Sequence, residues 1–150
     1  MNKKRNIIGV LGLPLNKKGE FLVTYRQDSK PEVHNKWQVA GGKMEFGETA
    51  PETVMRELKE ELGVSSRIVC KYPILESQTW DFKERQVHVL LITYIVDIGD
   101  QTITLNEEAN AYKWVTSKTL DVNNSLRATL PILTDAEQLV RDFALVSKLG

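Results

Sequence analysis

Residues 41–64 read GGKMEFGETAPETVMRELKEELGV, and this stretch decides the fold. Thr49 followed three residues later by Glu52 forms a capping box, which marks a helix N-terminus. Gly63 supplies the left-handed stop at the other end. The stretch therefore predicts a helix over residues 49–62, entered from a glycine turn.

The predicted helix has one apolar face. At about 100° per residue, a single stripe collects Val54, Met55, Leu58 and Leu62. We expect this stripe to pack into the core.

Three glutamates crowd the end of the same helix. Glu57 and Glu61 form a like-charge i,i+4 pair, which costs about 0.2–0.5 kcal/mol. Glu60 and Glu61 lie in the last turn, where the helix dipole disfavours anions by about 0.3–1 kcal/mol each. Arg56 offsets part of this through Glu60, in the weaker orientation. A solvated charged face explains this pattern poorly, whereas a bound Mg²⁺ or Mn²⁺, which prefers hard oxygen ligands, explains it well.

The segment resembles the Nudix box, G-x5-E-x7-R-E-U-x-E-E-x-G-U, in which U is a bulky aliphatic residue. The fixed positions are occupied here by Gly42, Glu48, Arg56, Glu57, Leu58, Glu60, Glu61, Gly63 and Val64. A WQVAGG segment before the box and a strand at Trp114 after it support the resemblance. Ala40 stands where many members have proline, and this difference removes no ligand.

The resemblance implies an α/β/α sandwich, an α+β arrangement with a mixed sheet between helices. It also implies hydrolysis of a nucleoside diphosphate linked to another group, with Mg²⁺ as cofactor and Mn²⁺ as a substitute. By position, the metal ligands would be Glu57, Glu60 and Glu61, with a backbone carbonyl of Gly41 or Gly42. The cation would neutralise the pyrophosphate and act as a Lewis acid.

Other positions of the box carry supporting roles by the same resemblance. Glu48 would hold the loop to the helix, and Arg56 would orient Glu57. A carboxylate must also take a proton from the attacking water. Family members differ in which glutamate does so, and the base is left within the set Glu57, Glu61 and Glu108.

Glu108 lies outside the box, in the stretch LNEEANAYKWV at residues 105–115. Many Nudix enzymes place a glutamate from this part of the chain near the metal. Glu108, six residues before Trp114, fits that spacing better than Glu107 does. The alternative is that both are solvated loop carboxylates.

Three residues are candidates for substrate binding. Trp80 and Phe82 flank Asp81 near a probable loop and can stack on a base, or they can pack in the core or in a homodimer. Arg26 ends a strand and can reach a phosphate, or it can be an ordinary surface arginine.

Composition narrows the partners and the compartment. The chain has 150 residues, which suits one domain over residues 1–150, and a formal net charge of zero. It therefore lacks the global basic field that draws in a nucleic acid duplex, and a small nucleotide is the expected partner. No stretch is long enough to span a membrane. The single Cys70 fits a reduced thiol in the cytoplasm.

The rest of the chain reads as a mixture of strands and one closing helix. A hairpin-like pair is expected from residues 6–12 and 20–26, joined by a turn at residues 16–19, and a loop from residues 27–36. Further strands are expected at residues 37–42, 66–74, 85–97, 101–105 and 112–115, with a hairpin tip at residues 81–85. The closing helix is expected at residues 134–148, with Thr134 and Glu137 as its capping box.

Three functions remain compatible with these features. The first is a house-cleaning pyrophosphohydrolase of nucleoside triphosphates, including oxidised ones. The second is a hydrolase of ADP-ribose, nucleotide sugars or dinucleoside polyphosphates. The third is a nucleotide-binding regulatory module without turnover, against which the intact glutamate set argues.

Overall fold

The structure is a computed structural model that describes residues 3–26 and 35–150. Its elements are β1 (Lys3–Pro14), β2 (Phe21–Arg26), β3 (Lys36–Gln38), β4 (Ala40–Lys43), α1 (Ala50–Leu62), β5 (Arg67–Ile68), β6 (Ile74–Phe82), β7 (Arg85–Asp97), β8 (Ala109–Val115) and α2 (Thr129–Phe143). Two short 3₁₀ turns, Val122–Asn124 and Leu145–Lys148, flank α2. Most of the predicted loop at residues 27–36 lies outside the described residues.

The larger sheet is mixed and has five strands. Its order is β4-β1-β7-β5, with β6 also paired to β7. β1 runs parallel to β7 in one unbroken register, and β4, β5 and β6 are antiparallel to their neighbours. The predicted strand at residues 85–97 and the hairpin tip at residues 81–85 are both confirmed, because β6 turns directly into β7 there.

The smaller sheet has three strands in the order β3-β2-β8. The predicted pairing of β1 with β2 is wrong, since these strands belong to different sheets and share only a bridge between Leu15 and Phe21. The WQVAGG segment is likewise two strands. The extended structure is interrupted at Val39, so that β3 joins the smaller sheet and β4 joins the larger one.

Helix α1 forms as the sequence predicts. Thr49 and Glu52 make both hydrogen bonds of the capping box, and Gly63 ends the helix with φ 68°. Val54, Leu58 and Leu62 are fully buried. Met55 is not part of this face, because the residue is 42% exposed.

Three other boundaries differ from the sequence predictions. The expected strand at residues 66–74 is reduced to Arg67–Ile68, and β6 begins only at Ile74. Residues 101–105 form no strand; they run as a loop along the end of α1, and the backbone N–H of Thr104 donates to the carbonyl of Leu62. This hydrogen bond satisfies a carbonyl that the helix end leaves free.

The closing helix begins earlier than expected. α2 spans Thr129–Phe143, so Thr134 lies inside it and its hydroxyl donates to the carbonyl of Leu130. The proposed capping box is therefore wrong, and Glu137 instead accepts from the backbone N–H of Ser117.

The two helices pack on separate hydrophobic clusters on opposite sides of the strands. Val10 belongs to the cluster of α1, whereas its neighbour Leu11 packs against the cluster of α2. This alternation is that of a strand with both faces covered. The fold is thus the predicted α+β arrangement of strands between helices, with the strands divided between a mixed sheet and a smaller antiparallel sheet. None of the helices in the described ranges combines the length and apolarity needed to cross a bilayer.

Candidate active site

A cleft of about 500 Å³ opens between the larger sheet, the smaller sheet and the start of α2. It collects most of the residues that the sequence singled out. These are Gly41, Gly42, Glu57, Glu61, Glu108, Arg26, Trp80 and Phe82. Residues that lie up to 82 positions apart in the chain therefore share one surface, with carboxylates at one end and aromatic rings at the other.

The glycine turn before α1 is shaped to receive Glu57. A Cβ atom on Gly42 would lie 2.5 Å from Oε1 of Glu57, so only glycine leaves room for this carboxylate. Gly41, at φ 151°, passes too close to the carbonyl of Val10 to carry a side chain. The two glycines thus allow the backbone of β4 to approach the acidic side of α1.

Glu61 is the most enclosed carboxyl group of the site. Its side chain is buried, with 2% of the residue exposed, and Oε2 accepts a 2.6 Å hydrogen bond from the backbone N–H of Gly41. Burial, followed by the nearby charge of Glu108, raises the pKa of Glu61 to about 8. Burial also raises the pKa of Glu57, against the opposing effect of Arg56. At this end of the cleft, burial and the neighbouring carboxylates therefore favour the protonated forms of Glu57 and Glu61.

Arg56 links the turn to the helix. Its Nε and Nη2 donate to the two carboxylate oxygens of Glu48 at 2.7 and 3.0 Å, and its Nη1 donates to Glu57 at 2.9 Å. Nη2 also donates to the carbonyl of Lys43 at 3.2 Å. The hydrogen bond from Arg56 lowers the pKa of Glu48 to about 2. These contacts are those expected if Arg56 orients Glu57 and Glu48 holds the loop to the helix.

Glu60 is the one member of the acidic set that does not line the cleft. Its side chain is 55% exposed and lies 3.3 Å from Nη1 of Arg56. To reach Glu57 and Glu61 it would have to leave this ion pair and rotate. Rotation of an exposed glutamate is a small change, because no packing holds it in place.

Glu108 is placed by the loop that runs along the end of α1. The backbone N–H of Asn106 donates to the carbonyl of Glu61, and the Asn106 side chain accepts from the backbone N–H of Glu108. Glu108 thereby lies beside Glu61 in the cleft. Glu107 is exposed and does not line the cleft.

The donor set fits a hard divalent cation. Within residues 3–26 and 35–150, no three acidic, histidine or cysteine side chains converge as a ready-made metal site. Glu57, Glu61 and Glu108 nevertheless lie close together in the cleft, and a bound cation would stabilise their charged forms. Two of these carboxyl groups accept hydrogen bonds from the protein itself, Glu57 from Arg56 and Glu61 from the backbone N–H of Gly41.

The aromatic end of the cleft is built on β6. The rings of Trp80 and Phe82 stack with centroids 6.5 Å apart and an interplanar angle of 14°. The guanidinium of Arg127 lies 4.3 Å over Trp80, and that of Arg85 lies 5.0 Å over Phe82. The rings are therefore half-buried parts of the cleft wall, close to two cations that the sequence analysis did not single out.

Arg26 enters the same cleft from the smaller sheet. Its Nη1 donates to Oε1 of Gln38 at 3.1 Å, which directs it along the wall. Gln78, on β6, also lines the cleft and was missed by the sequence analysis. The signal that could have found it is spacing, since it shares the two-residue period of Trp80 and Phe82.

The comparisons with known proteins point to one family. The NUDIX domain family matches residues 5–134. A nucleoside triphosphatase, NudI, of Enterobacter sp. is 28% identical over 126 residues, covering 74% of this chain and 85% of its own. The 8-oxo-dGTP diphosphatase of Escherichia coli is 26% identical over 129 residues, covering 86% of this chain and 95% of its own.

A solved structure shows the same likeness in three dimensions. The MutT protein of Methanosarcina mazei superimposes with a TM-score of 0.62 at 26% identity, over 96% of this chain and 99% of its own. Members of this family generally use divalent metal ions and act on small nucleotide substrates. The chain belongs to the Nudix hydrolase family, whose enzymes hydrolyse pyrophosphate bonds.

Proposed function

We propose that this protein is a Mg²⁺-dependent pyrophosphohydrolase of nucleoside triphosphates, which releases a nucleoside monophosphate and pyrophosphate. The observation that carries the proposal is the single cleft with acidic residues at one end and stacked aromatic rings at the other. A nucleoside triphosphate would place its phosphates at the acidic end of the cleft and its base at the aromatic end. The named activities of the NudI and 8-oxo-dGTP diphosphatase relatives support the same class.

Glu57, Glu60 and Glu61, with the carbonyl of Gly41, would hold the cation. When bound, Mg²⁺ supplies charge neutralisation and Lewis-acid polarisation of the phosphate oxygens. Arg56 keeps one oxygen of Glu57 fixed through its 2.9 Å hydrogen bond, so that the carboxylate is presented in a single orientation.

The protein's own carboxylates handle the proton. Water adds to phosphorus, the α–β anhydride bond breaks, and its bridging oxygen leaves with pyrophosphate. The proton lost by the water passes to a carboxylate in the set Glu57, Glu61 and Glu108. Glu108 suits this role because it is exposed to solvent at the cleft, whereas Glu57 and Glu61 are enclosed.

The other end of the cleft would bind the nucleoside. Trp80 and Phe82 offer ring faces to a base, and such stacking is worth about 1–3 kcal/mol per base. Arg26 would approach a phosphate from the smaller sheet. We further propose that the chain is one domain and that it acts in the cytoplasm, where the free thiol of Cys70 stays reduced.

A substrate panel tests the proposal. Nucleoside triphosphates, oxidised deoxynucleoside triphosphates, ADP-ribose and a dinucleoside polyphosphate are each incubated with Mg²⁺ or with excess chelator, and the products are separated. Pyrophosphate and a nucleoside monophosphate from a triphosphate, only with Mg²⁺, are expected. A higher kcat/KM on ADP-ribose or a dinucleoside polyphosphate would replace the triphosphate assignment, and binding without turnover of any substrate would indicate a regulatory module.

A further inference from the structure

One buried polar atom of the cleft has no partner. Oε1 of Gln78 is shielded from solvent, yet no hydrogen-bond donor reaches it from any described residue. The side chain lies on the cleft-facing side of β6, two residues before Trp80 and four before Phe82. Buried amide oxygens are normally paired, and those that are not commonly mark a functional position.

The surroundings of Gln78 are apolar. Its cross-strand partner on β7 is Val89, whose own partner on β1 is Ile7, and both line the cleft. The sheet floor beside Trp80 therefore presents a single amide among aliphatic side chains. Folding gains nothing from an unpaired oxygen there, whereas a ligand that brings an N–H group gains a hydrogen bond.

The distance from the acidic end is suited to a nucleotide. Gly42, which contacts Glu57, lies on β4, and three strand spacings, about 14 Å, separate β4 from β6. The row of Gly42 meets β6 at Leu75, and Gln78 lies three residues, about 10 Å, further along that strand. A ribose and its phosphates fit between the carboxylates and Gln78. The base then lies over the floor at Gln78, with Trp80 beside it.

We propose that Gln78 reads the nucleobase: its amide accepts a hydrogen bond from an N–H on the base edge and offers its own N–H to an adjacent acceptor. This inference rests on the proposed nucleotide substrate. A glutamine amide carries both functions side by side, which is how it recognises a base edge elsewhere. Gln78 is therefore a specificity-determining residue, while the stacking rings accept any base.

The test compares Gln78→Met, which keeps an unbranched side chain but removes both polar atoms, with Ser77→Ala on the opposite, exposed side of β6. Michaelis constants and kcat are measured for the four deoxynucleoside triphosphates with Mg²⁺. Binding of the same four nucleotides is measured by calorimetry in chelator, where hydrolysis does not proceed. We expect Gln78→Met to reduce kcat/KM and affinity about 3- to 10-fold for the preferred base, through KM, and to flatten the ranking of the four bases. Ser77→Ala should keep the wild-type ranking.

Melting temperature separates recognition from a structural role. Removing an unpaired buried oxygen should leave the melting temperature of Gln78→Met equal to or above that of the wild type. If the variant melts lower and loses affinity equally for all four nucleotides, Gln78 supports the fold and the inference is wrong. An unchanged ranking, equal wild-type affinity for all four bases or no nucleotide binding would also overturn it. If the wild type binds but hydrolyses none of the four, the proposed function fails, and the binding data alone decide the role of Gln78.

Discussion

The guanidinium of Arg56 donates two hydrogen bonds to the carboxylate of Glu48, from Nε at 2.7 Å and from Nη2 at 3.0 Å. This pair ties the loop before α1 to the middle of the helix. Glu48 also accepts from the backbone N–H of Glu45 and from the hydroxyl of Thr53. Four donors on one carboxylate explain why its pKa falls to about 2.

The first prediction concerns the pH dependence of stability. The pKa of Glu48 is about 2 in the folded protein and 4.5 without these partners, so its contribution is complete above pH 4.5 and is lost as the pH falls toward 2. Glu48→Gln should therefore melt below the wild type at pH 7, and the difference should shrink as the pH falls to about 2. Thermal melts monitored by circular dichroism across this range provide the measurement.

Glu45→Gln is the matched control for this experiment. Glu45 is in the same loop, but its side chain is exposed and lies 3.8 Å from Arg56. Its melting temperature should stay near that of the wild type at each pH. A difference between Glu48→Gln and the wild type that does not change with pH would contradict the assigned ionic role.

The second prediction separates activity from stability at Glu61. Glu61→Gln should lower kcat by orders of magnitude, because it removes a proposed metal ligand, yet in chelator at pH 8 it should melt at or above the wild-type temperature. The amide oxygen can still accept from Gly41, and the uncharged side chain removes the repulsion with Glu108 and Glu57. Activity assays with Mg²⁺ and melts in chelator measure the two effects.

Glu60→Gln is the comparison for Glu61→Gln. Its substitution should also lower kcat in the presence of Mg²⁺, because Glu60 is a proposed metal ligand. The effect on metal-free stability should be smaller than that of Glu61→Gln, because the side chain of Glu60 is exposed. Full activity of either variant would rule out the substituted residue as a metal ligand. Full activity of the wild type in excess chelator would rule out a role for the cation.

The third prediction tests the approach between the glycine turn and the helix. A Cβ atom at Gly42 would displace the Glu57 carboxylate, so Gly42→Ala should cost about 10²-fold in kcat, the usual effect of misplacing a catalytic group by about 1 Å. Steady-state kinetics with saturating Mg²⁺ are the measurement.

Gly19→Ala controls for a general loss of stability. Gly19 has φ 79° in a turn remote from the cleft, and a Cβ atom there would meet nothing within 4 Å. This variant should lose melting temperature through backbone strain while keeping kcat. If Gly42→Ala keeps wild-type kcat, the close approach of the turn to Glu57 has no catalytic consequence.

Local signals in the sequence predicted α1 well and α2 poorly, and the reason is physical. α1 begins with side-chain caps that are visible in the sequence, whereas α2 begins after Ala128, which makes no side-chain cap. Pro131 lies in the first turn of α2, where the backbone N–H needs no partner within the helix. The sequence from Thr134 to Glu137 matches a capping box, but in the structure it lies inside α2 and does not start the helix.

Non-local pairing was the other source of error. Adjacent strands such as β1 and β2 usually pair, and only the tertiary structure shows that they join different sheets. Residues 101–105 have strand-like composition, yet the backbone N–H of Thr104 bonds to the end of α1. The acidic residues of the box could be found from fixed spacing, but the position of Gln78 in the cleft depends on the register of three strands.

The last prediction concerns Glu108, which the loop along α1 places against Glu61. If Glu108 takes the proton from water, Glu108→Gln should lower kcat about 10²-fold or more, the usual size of a general-base contribution. KM should change little, because a base adds nothing to ground-state binding, and the acid limb of the pH–rate profile should shift or vanish. Steady-state kinetics at saturating Mg²⁺ from pH 5 to 9 measure all three quantities.

Glu107→Gln is the control, since Glu107 is the exposed neighbour that does not line the cleft. It should behave as the wild type across the pH range. Melting temperatures of both variants show whether the loop has kept its hydrogen bonds to α1, which come from backbone groups and should survive either substitution. Equal behaviour of the two variants, or retention of most activity by Glu108→Gln, would return the general base to Glu57 or Glu61. In that case Glu108 would act on the reaction only through its charge beside Glu61.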